Sequence, residues 1–255
     1  MAMKMIEIER ALKQLRLSGI RATLETRVLE SKTGKLDFME TFSSLIQDEL
    51  DRRQSSTEER RFKLSGLDER KSFDEFDWGF NPKSPKKPCF ELLTLKFIAE
   101  GLSPIMIGSP GTGKSHLAKA IAYKAIRDGF VVICNEAEDL LARVATANDV
   151  ARKKLMKQII EADLVVIDDL FLHRKLSDEL SQILQSIIHK RYKRRQSTII
   201  TSNRIISDWE KLLGDSPMAS ALKDRLMHRG ILLEFEGRSY RLKEAAARLA
   251  KAEAK

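Results

Sequence analysis

The stretch Gly108-Ser109-Pro110-Gly111-Thr112-Gly113-Lys114-Ser115 decides the fold class. It fits the spacing G-x-x-x-x-G-K-[ST], in which glycines let the backbone curl so that successive N–H groups point inward at phosphate oxygens. Lys114 is expected to reach the β- and γ-phosphates of a nucleotide, and the Ser115 hydroxyl to hold Mg²⁺. Gly108 through Ser115, with His116 directly behind, form the expected nucleotide-binding set. The flanks give the loop its context. Pro104-Ile105-Met106-Ile107 reads as a short buried strand, and Leu117, Ala118, Ile121, Ala122, Ala125 and Ile126 recur at helical spacing up to Gly129. Strand, Gly-rich loop and helix in that order turn the positive end of a helix dipole onto the bound anion.

Candidate strands at 104–107, 130–134, 164–168, 198–201 and 231–235 alternate with helices, which predicts an α/β fold with a five-stranded parallel sheet covered on both faces. The clearest helix runs from Asp178 to about Arg194, with Ser177 as its N-cap and an apolar stripe of Leu180, Ile183, Leu184, Ile187, Ile188 and Tyr192. Residues 1–71 are expected to form a small all-helical N-terminal domain and a linker. Gly19 and Thr33-Gly34 read as helix breaks, and the charge-dense stretch from Asp48 to Ser72 reads as part of the connection. The α/β domain is placed at 72–243, and the Ala-, Lys- and Glu-rich residues 244–255 form a C-terminal tail expected to be a frayed helix.

Composition sets the class. Of 255 residues, 42% are hydrophobic and 33% charged, which excludes a disordered chain. No apolar run approaches the roughly 18 residues of a membrane span, and the charged first ten residues lack the apolar core of a secretory signal. Cys89 and Cys134 have no C-x-x-C spacing, so reduced thiols and a cytoplasmic location are expected. His116, His173, His189 and His228 show no metal-ligand spacing, and no metal beyond nucleotide-bound Mg²⁺ is expected. The net charge of +9 suits a polyanionic partner, nucleic acid being the usual one.

Three further motifs carry chemistry. Leu164-Val165-Val166-Ile167-Asp168-Asp169 is an apolar strand delivering two acids at its C-terminal end, where ligands bind in open α/β sheets. Asp168 is expected to hold Mg²⁺, usually through water, and Asp169 to orient or deprotonate the attacking water. In Ser197-Thr198-Ile199-Ile200-Thr201-Ser202-Asn203 a second buried strand ends in an amide. Asn203 either contacts the γ-phosphate and lytic water or closes the strand in an Asx-type turn. Asp224-Arg225-Leu226, with Arg229 a turn later, offers an arginine that a neighbouring subunit can supply to the transition state; the same residues also fit an ordinary surface helix. Phe76, Asp77 and Trp78 either wall an adenine or anchor the linker in a small core.

Together GSPGTGKSHLA, VVIDDL, STIITSN, ALKDRLMHRG and EGRSYRL resemble the AAA+ ATPases of the initiator and helicase-loader group. With the N-terminal KQLRLSGIRATLE and FDEFDW, the order of motifs over nearly the whole chain is most similar to the IstB-like family, the ATP-binding helpers encoded beside the transposase of certain insertion sequences. That resemblance implies an ATPase that assembles as a homo-oligomer on double-stranded DNA, presents the target to a transposase and is controlled by hydrolysis of ATP with Mg²⁺. It casts Lys114, Asp169, Asn203 and Arg225 as the catalytic set. Two departures stand out. Many AAA+ proteins carry Glu where Asp169 stands, so slow hydrolysis is expected. The chain also ends soon after Arg241, leaving little room for a helical lid and no assigned role for that arginine.

DNA contacts are expected from Arg143, Arg152, Lys153, Lys154 and Lys157, because an extra helical element in this region faces DNA in related initiators. Lys190-Arg191-Tyr192-Lys193-Arg194-Arg195 is a second basic cluster, read equally well as a solvated helix face. Such contacts would meet phosphates without reading sequence. Two rival readings share the phosphate loop. One is a DnaC-like replicative helicase loader, with a helicase as partner. The other is a monomeric P-loop kinase, against which the positive charge and Arg225 count.

Overall fold

A computed structural model describes residues 3–34, 37–171, 176–214 and 217–253. The chain divides into two compact units, Met1–Arg61 and Phe62–Lys255. The expected boundary lay at 71/72; the observed division falls inside a helix, Phe38–Ser65.

Helices α1 (Met5–Gln14), α2 (Ser18–Lys32) and α3 (Phe38–Ser65) make up the N-terminal region. Gly19 is not the break expected of it. It lies in the first turn of α2, where an added Cβ would stand 2.5 Å from the Asp48 carbonyl oxygen and the Glu49 Cα, so glycine is there to let α2 and α3 approach. The chain turns earlier, at Arg16, whose φ is +58°. The buried Glu49 carboxylate accepts from the Gly19 N–H at 2.7 Å, satisfying an orphan donor at the start of α2. The charge-dense stretch is also helical, up to Ser65. Pairs four residues apart, Gln47 with Asp51 and Arg53 with Glu49, support it on the surface.

In the second unit α4 (Lys86–Leu92) and α5 (Lys96–Glu100) lead into β1 (Ser103–Gly108) and α6 (Lys114–Arg127). Next come β2 (Val132–Glu136), α7 (Ala137–Thr146), α8 (Asp149–Glu161), β3 (Leu164–Leu170), α9 (Asp178–Lys193) and β4 (Ser197–Ser202). The chain continues through α10 (Trp209–Leu212), α11 (Pro217–His228), β5 (Gly230–Phe235) and α12 (Tyr240–Glu253). The five strands are parallel in the order β2-β3-β4-β1-β5. Alternation along each apolar strand sorts the core into two layers. Ile105, Ile107, Val165, Ile167 and Ile200 face α7 to α11, whereas Met106, Leu164, Val166 and Ile199 face α4 to α6. All six apolar positions expected on α6 are buried, and Ser177 caps α9 by accepting from the Leu180 N–H. The fold is that of an AAA+ P-loop nucleotide-binding domain, with a helical region ahead of it. Two elements differ from expectation. The second strand begins two residues late, at Val132. The last helix begins at Tyr240 rather than 244, its first turn bonded to the phosphate loop through the Tyr240 N–H and the Gly111 carbonyl at 2.9 Å.

Candidate active site

The phosphate loop joins β1 to α6 at the C-terminal edge of the sheet. Gly111 and Gly113 hold φ of +75° and +99°, and a Cβ on either would stand 2.2 Å from its neighbour, the Ser239 Oγ or the Phe76 ring. Only glycine fits both the conformation and the crowding. Thr112 Oγ1 donates to the Ser109 carbonyl at 2.8 Å and closes the curl. Lys114 is only 4% exposed. Its ammonium folds back to donate to the Gly108 and Ser109 carbonyls, each at 2.8 Å. Burial pulls this ammonium down to about 8, while the nearby Asp169 and Asp168 carboxylates hold it up.

A cavity of about 230 Å³ opens over the loop. Lys114, Ser115, His116, Asp169 and Asn203 all line it, so the residues expected to meet the phosphates converge. The two acids are delivered differently. Asp168 and Asp169 sit at an irregularity in the pairing of β3 with β4, where Ile167 pairs with Ile200 and Leu170 with Ser202. The two acids thus oppose the single Thr201, as in a β-bulge, which re-aims side chains at a strand end. Asp169 takes φ of +50°, a conformation aspartate tolerates better than most residues. Asp168 is buried and accepts from Thr201 Oγ1 at 2.5 Å, and the same oxygen accepts from the Asp169 N–H at 2.8 Å. Thr201 therefore fixes both acids, a role sequence reading missed because the residue looked like an ordinary strand threonine. Burial, and then the Asp168 charge, push the Asp169 carboxyl up, with Lys114 opposing.

Asn203 does not close the strand. Ser202 does so, its Oγ donating to the Leu170 carbonyl and accepting from the Arg204 N–H. The Asn203 Oδ1 is buried with no hydrogen-bond partner among the described residues. An orphan acceptor in a polar cavity is costly unless a ligand or water meets it. Ser115, Asp169 and Asn203 line the cavity with oxygen donors, which fits Mg²⁺, whereas Asp168, expected to hold the metal, is buried on Thr201 and is not among the lining residues. Arg241, to which the sequence assigned no role, also lines the cavity from the first turn of α12.

A second, smaller cavity of about 90 Å³ shares Gly113, His116 and Tyr240 with the first. Phe76, Asp77 and Phe80 line it, so the aromatic segment divides between the two roles considered. Phe76 faces the cavity, whereas Trp78 packs among Phe73, Phe76 and Phe90. Contacts with α12 close this end: Lys243 pairs with Asp77 at 3.0 Å, and the Phe80 and Tyr240 rings meet edge to face. His116 Nε2 lies 2.8 Å from the Ser72 carbonyl, and His228 Nδ1 lies 3.1 Å from the Tyr192 hydroxyl. His173 lies outside the described residues.

The remaining candidates lie apart from the phosphate cavity. Arg225 donates to the Ala221 carbonyl and, with Gln182, Gln185 and His189, lines a groove of about 420 Å³ between α9 and α11. Arg229 is packed over the Tyr192 ring at 4.8 Å and donates to the Tyr192 carbonyl. Arg152 donates to the Val144 carbonyl at 3.0 Å and pairs with Glu179 at 3.2 Å, so much of its guanidinium is engaged. Arg143, Lys153, Lys154 and Lys157 are exposed on α7 and α8. Arg191, counted with the second basic cluster, is 1% exposed. It donates to the carbonyls of Ile159, Ala162 and Ser197 and to Thr198 Oγ1, stapling the end of α8 to the start of β4.

Comparison with known proteins agrees with this geometry. Residues 10–248 match the family described as IstB-like ATP binding protein. A Pseudomonas aeruginosa protein, whose name describes it as an ATP-binding protein of insertion sequence IS21, is 30% identical over 241 residues, 94% of this chain and 90% of that one. A Geobacillus stearothermophilus protein named likewise for insertion sequence IS5376 is 32% identical over 215 residues, covering 84% and 85% of the two chains. Among solved structures, a replication initiator DnaA bound to AMPPCP and single-stranded DNA superposes with a TM-score of 0.55 at 25% identity, over 73% of this chain and 56% of that one. With its phosphate loop, strand-end acids and amide gathered at one sheet edge, the chain belongs to the IstB-like ATP-binding proteins, on the AAA+ fold.

Proposed function

We propose that this protein is a helper ATPase of transposition, which assembles on double-stranded DNA in the cytoplasm, presents it to a transposase and is switched by hydrolysis of ATP. The observation that carries the reading is the convergence of Lys114, Ser115, Asp169 and Asn203 on one cavity over the phosphate loop, in a chain whose relatives are named for insertion sequences. Residues 1–71 would serve partner and oligomer contacts, 72–243 the ATPase, and 244–255 the tail, with Arg241 from the start of α12 added to the site.

The steps follow from the geometry. On binding, Lys114 exchanges the Gly108 and Ser109 carbonyls for phosphate oxygens, an ammonium bonded to an anion in place of an ammonium bonded to neutral carbonyls. Ser115 and Asp168 would hold Mg²⁺, which when bound neutralises charge on the phosphates. Asp169, its carboxyl raised toward the operating pH, accepts a proton from the lytic water. The unpartnered Asn203 Oδ1 accepts from that water, and the amide's Nδ2 is the atom that would donate to the γ-phosphate. The short Asp169 side chain suits a slow, timed hydrolysis.

Arg225 lines a groove separate from its own chain's cavity, which supports a role on a neighbouring copy. A mixing assay tests this. Arg225→Ala and Lys114→Ala should each be inactive alone and recover turnover together, since a composite interface pairs an intact loop with an intact arginine. No recovery from folded, co-assembling variants would return Arg225 to a structural role.

A further inference from the structure

The two basic clusters that look separate in sequence form the walls of one groove. Helices α8 and α9 pack side by side, and a trough of about 680 Å³ runs between them, lined by Arg152, Lys153, Lys157, Lys190, Lys193 and Arg194. Its apolar floor is made by Met156 and Ile160. One carboxylate, Glu161, enters it and sits 3.5 Å from Arg194. The helices end just ahead of β3 and β4, so Lys157, Lys190, Lys193 and Arg194 stand at the N-terminal edge of the sheet, opposite the phosphate cavity. The buried Arg191 holds this arrangement, because its guanidinium bonds carbonyls at the end of α8 and the start of β4 while its backbone belongs to α9.

We infer that this trough seats one sugar-phosphate strand of duplex DNA, with Lys190 and Lys193 of α9 and Arg194 at its end sharing the phosphate contacts with Lys153 and Lys157 of α8. This rests on the DNA-binding reading above and moves its surface. Lys154 and Arg143 lie outside the trough, and Arg152 is already engaged with Val144 and Glu179. Cations along both walls with methylene and thioether groups between them match the alternation of phosphates and deoxyribose faces. Among the described residues the lining offers cations on flexible stems and no neutral amide or hydroxyl, a set suited to phosphate oxygens, which carry no sequence information. An acidic protein offers no such regular repeat of charge.

The test compares the full chain with three variants, each with a non-hydrolysable ATP analogue, on two unrelated duplexes of equal length over a range of salt. Replacing Lys157, Lys190 and Lys193 together with Gln should weaken binding to both duplexes alike. It should also flatten the slope of log affinity against log salt by roughly 0.9 for each phosphate no longer neutralised, close to three in all. Arg143→Gln with Lys154→Gln should leave the slope unchanged. Glu161→Gln should tighten binding, a gain that general damage to the fold would not produce. Nucleotide affinity, read in parallel, should stay the same in all three. If the control pair flattens the slope and the trough variant does not, DNA lies on the outer face of α8 and the inference fails. If the unaltered protein binds neither duplex in a salt-dependent way, the DNA-binding reading itself fails. A trough that binds an acidic polypeptide in preference to both duplexes would overturn the inference as well.

Discussion

The two edges of the sheet solve opposite problems. At the C-terminal edge a few side chains are buried and fixed: Lys114 on two carbonyls, Asp168 on Thr201, Asp169 in a bulge with positive φ. At the N-terminal edge the trough carries many exposed cations on flexible stems, with Arg191 as its one buried anchor. Chemistry on a phosphate needs atoms placed in advance, whereas holding a polyanion needs only enough charge at roughly the right spacing. Single substitutions should therefore be severe at the first edge and mild at the second.

The largest effect is expected at Asp169. Asp169→Asn should bind ATP and lose turnover by on the order of a hundredfold to ten-thousandfold, because a positioned base is removed while the nearby Asp168 is kept. Single-turnover kinetics beside nucleotide titration reads the two quantities apart. Loss of affinity with turnover preserved would mean the two acids have exchanged roles. Next comes Lys114→Ala, which should cut ATP affinity by on the order of a hundredfold, the worth of charge-assisted phosphate bonds. It also leaves the Gly108 and Ser109 carbonyls without their donor, so its melting temperature should be recorded beside its affinity.

The pH dependence is smaller and has a definite sign. Lys114 without nucleotide loses its proton near pH 8, because burial has lowered it. Phosphates hold that proton in the complex, so binding takes up a proton above pH 8. ATP affinity should be flat below pH 8 and fall by about tenfold per unit above it. Lys114→Arg, charged throughout this range, should remove the fall. A wild-type affinity level to pH 9.5 would mean the lysine is not held as described.

Much of this was legible beforehand, for identifiable reasons. The loop, the β3 acids and the α6 stripe announce themselves because spacing and chemistry coincide there. What stayed hidden depends on interactions distant in sequence. Gly19 looked like a helix break because its close approach to α3 lies thirty residues away in the chain, at Glu49. The stretch after Asp48 looked like a linker because its stability comes from surface pairs and helix propensity, not from an apolar stripe. Arg191 looked like its basic neighbours, and only the fold shows four of its acceptors buried around it. Arg241 lay in the EGRSYRL motif without an assigned role; the hydrogen bond from the Tyr240 N–H to the Gly111 carbonyl brings it to the cavity.

The measurement that bears most directly on the account is phosphate release by the unaltered protein, with and without duplex DNA, with particle size followed in the same samples. The account predicts slow turnover alone, a larger particle on DNA, and a rate raised by about tenfold or more, well within what an arginine supplied by a neighbour can give. A rate independent of DNA, from a particle that stays monomeric, would contradict it.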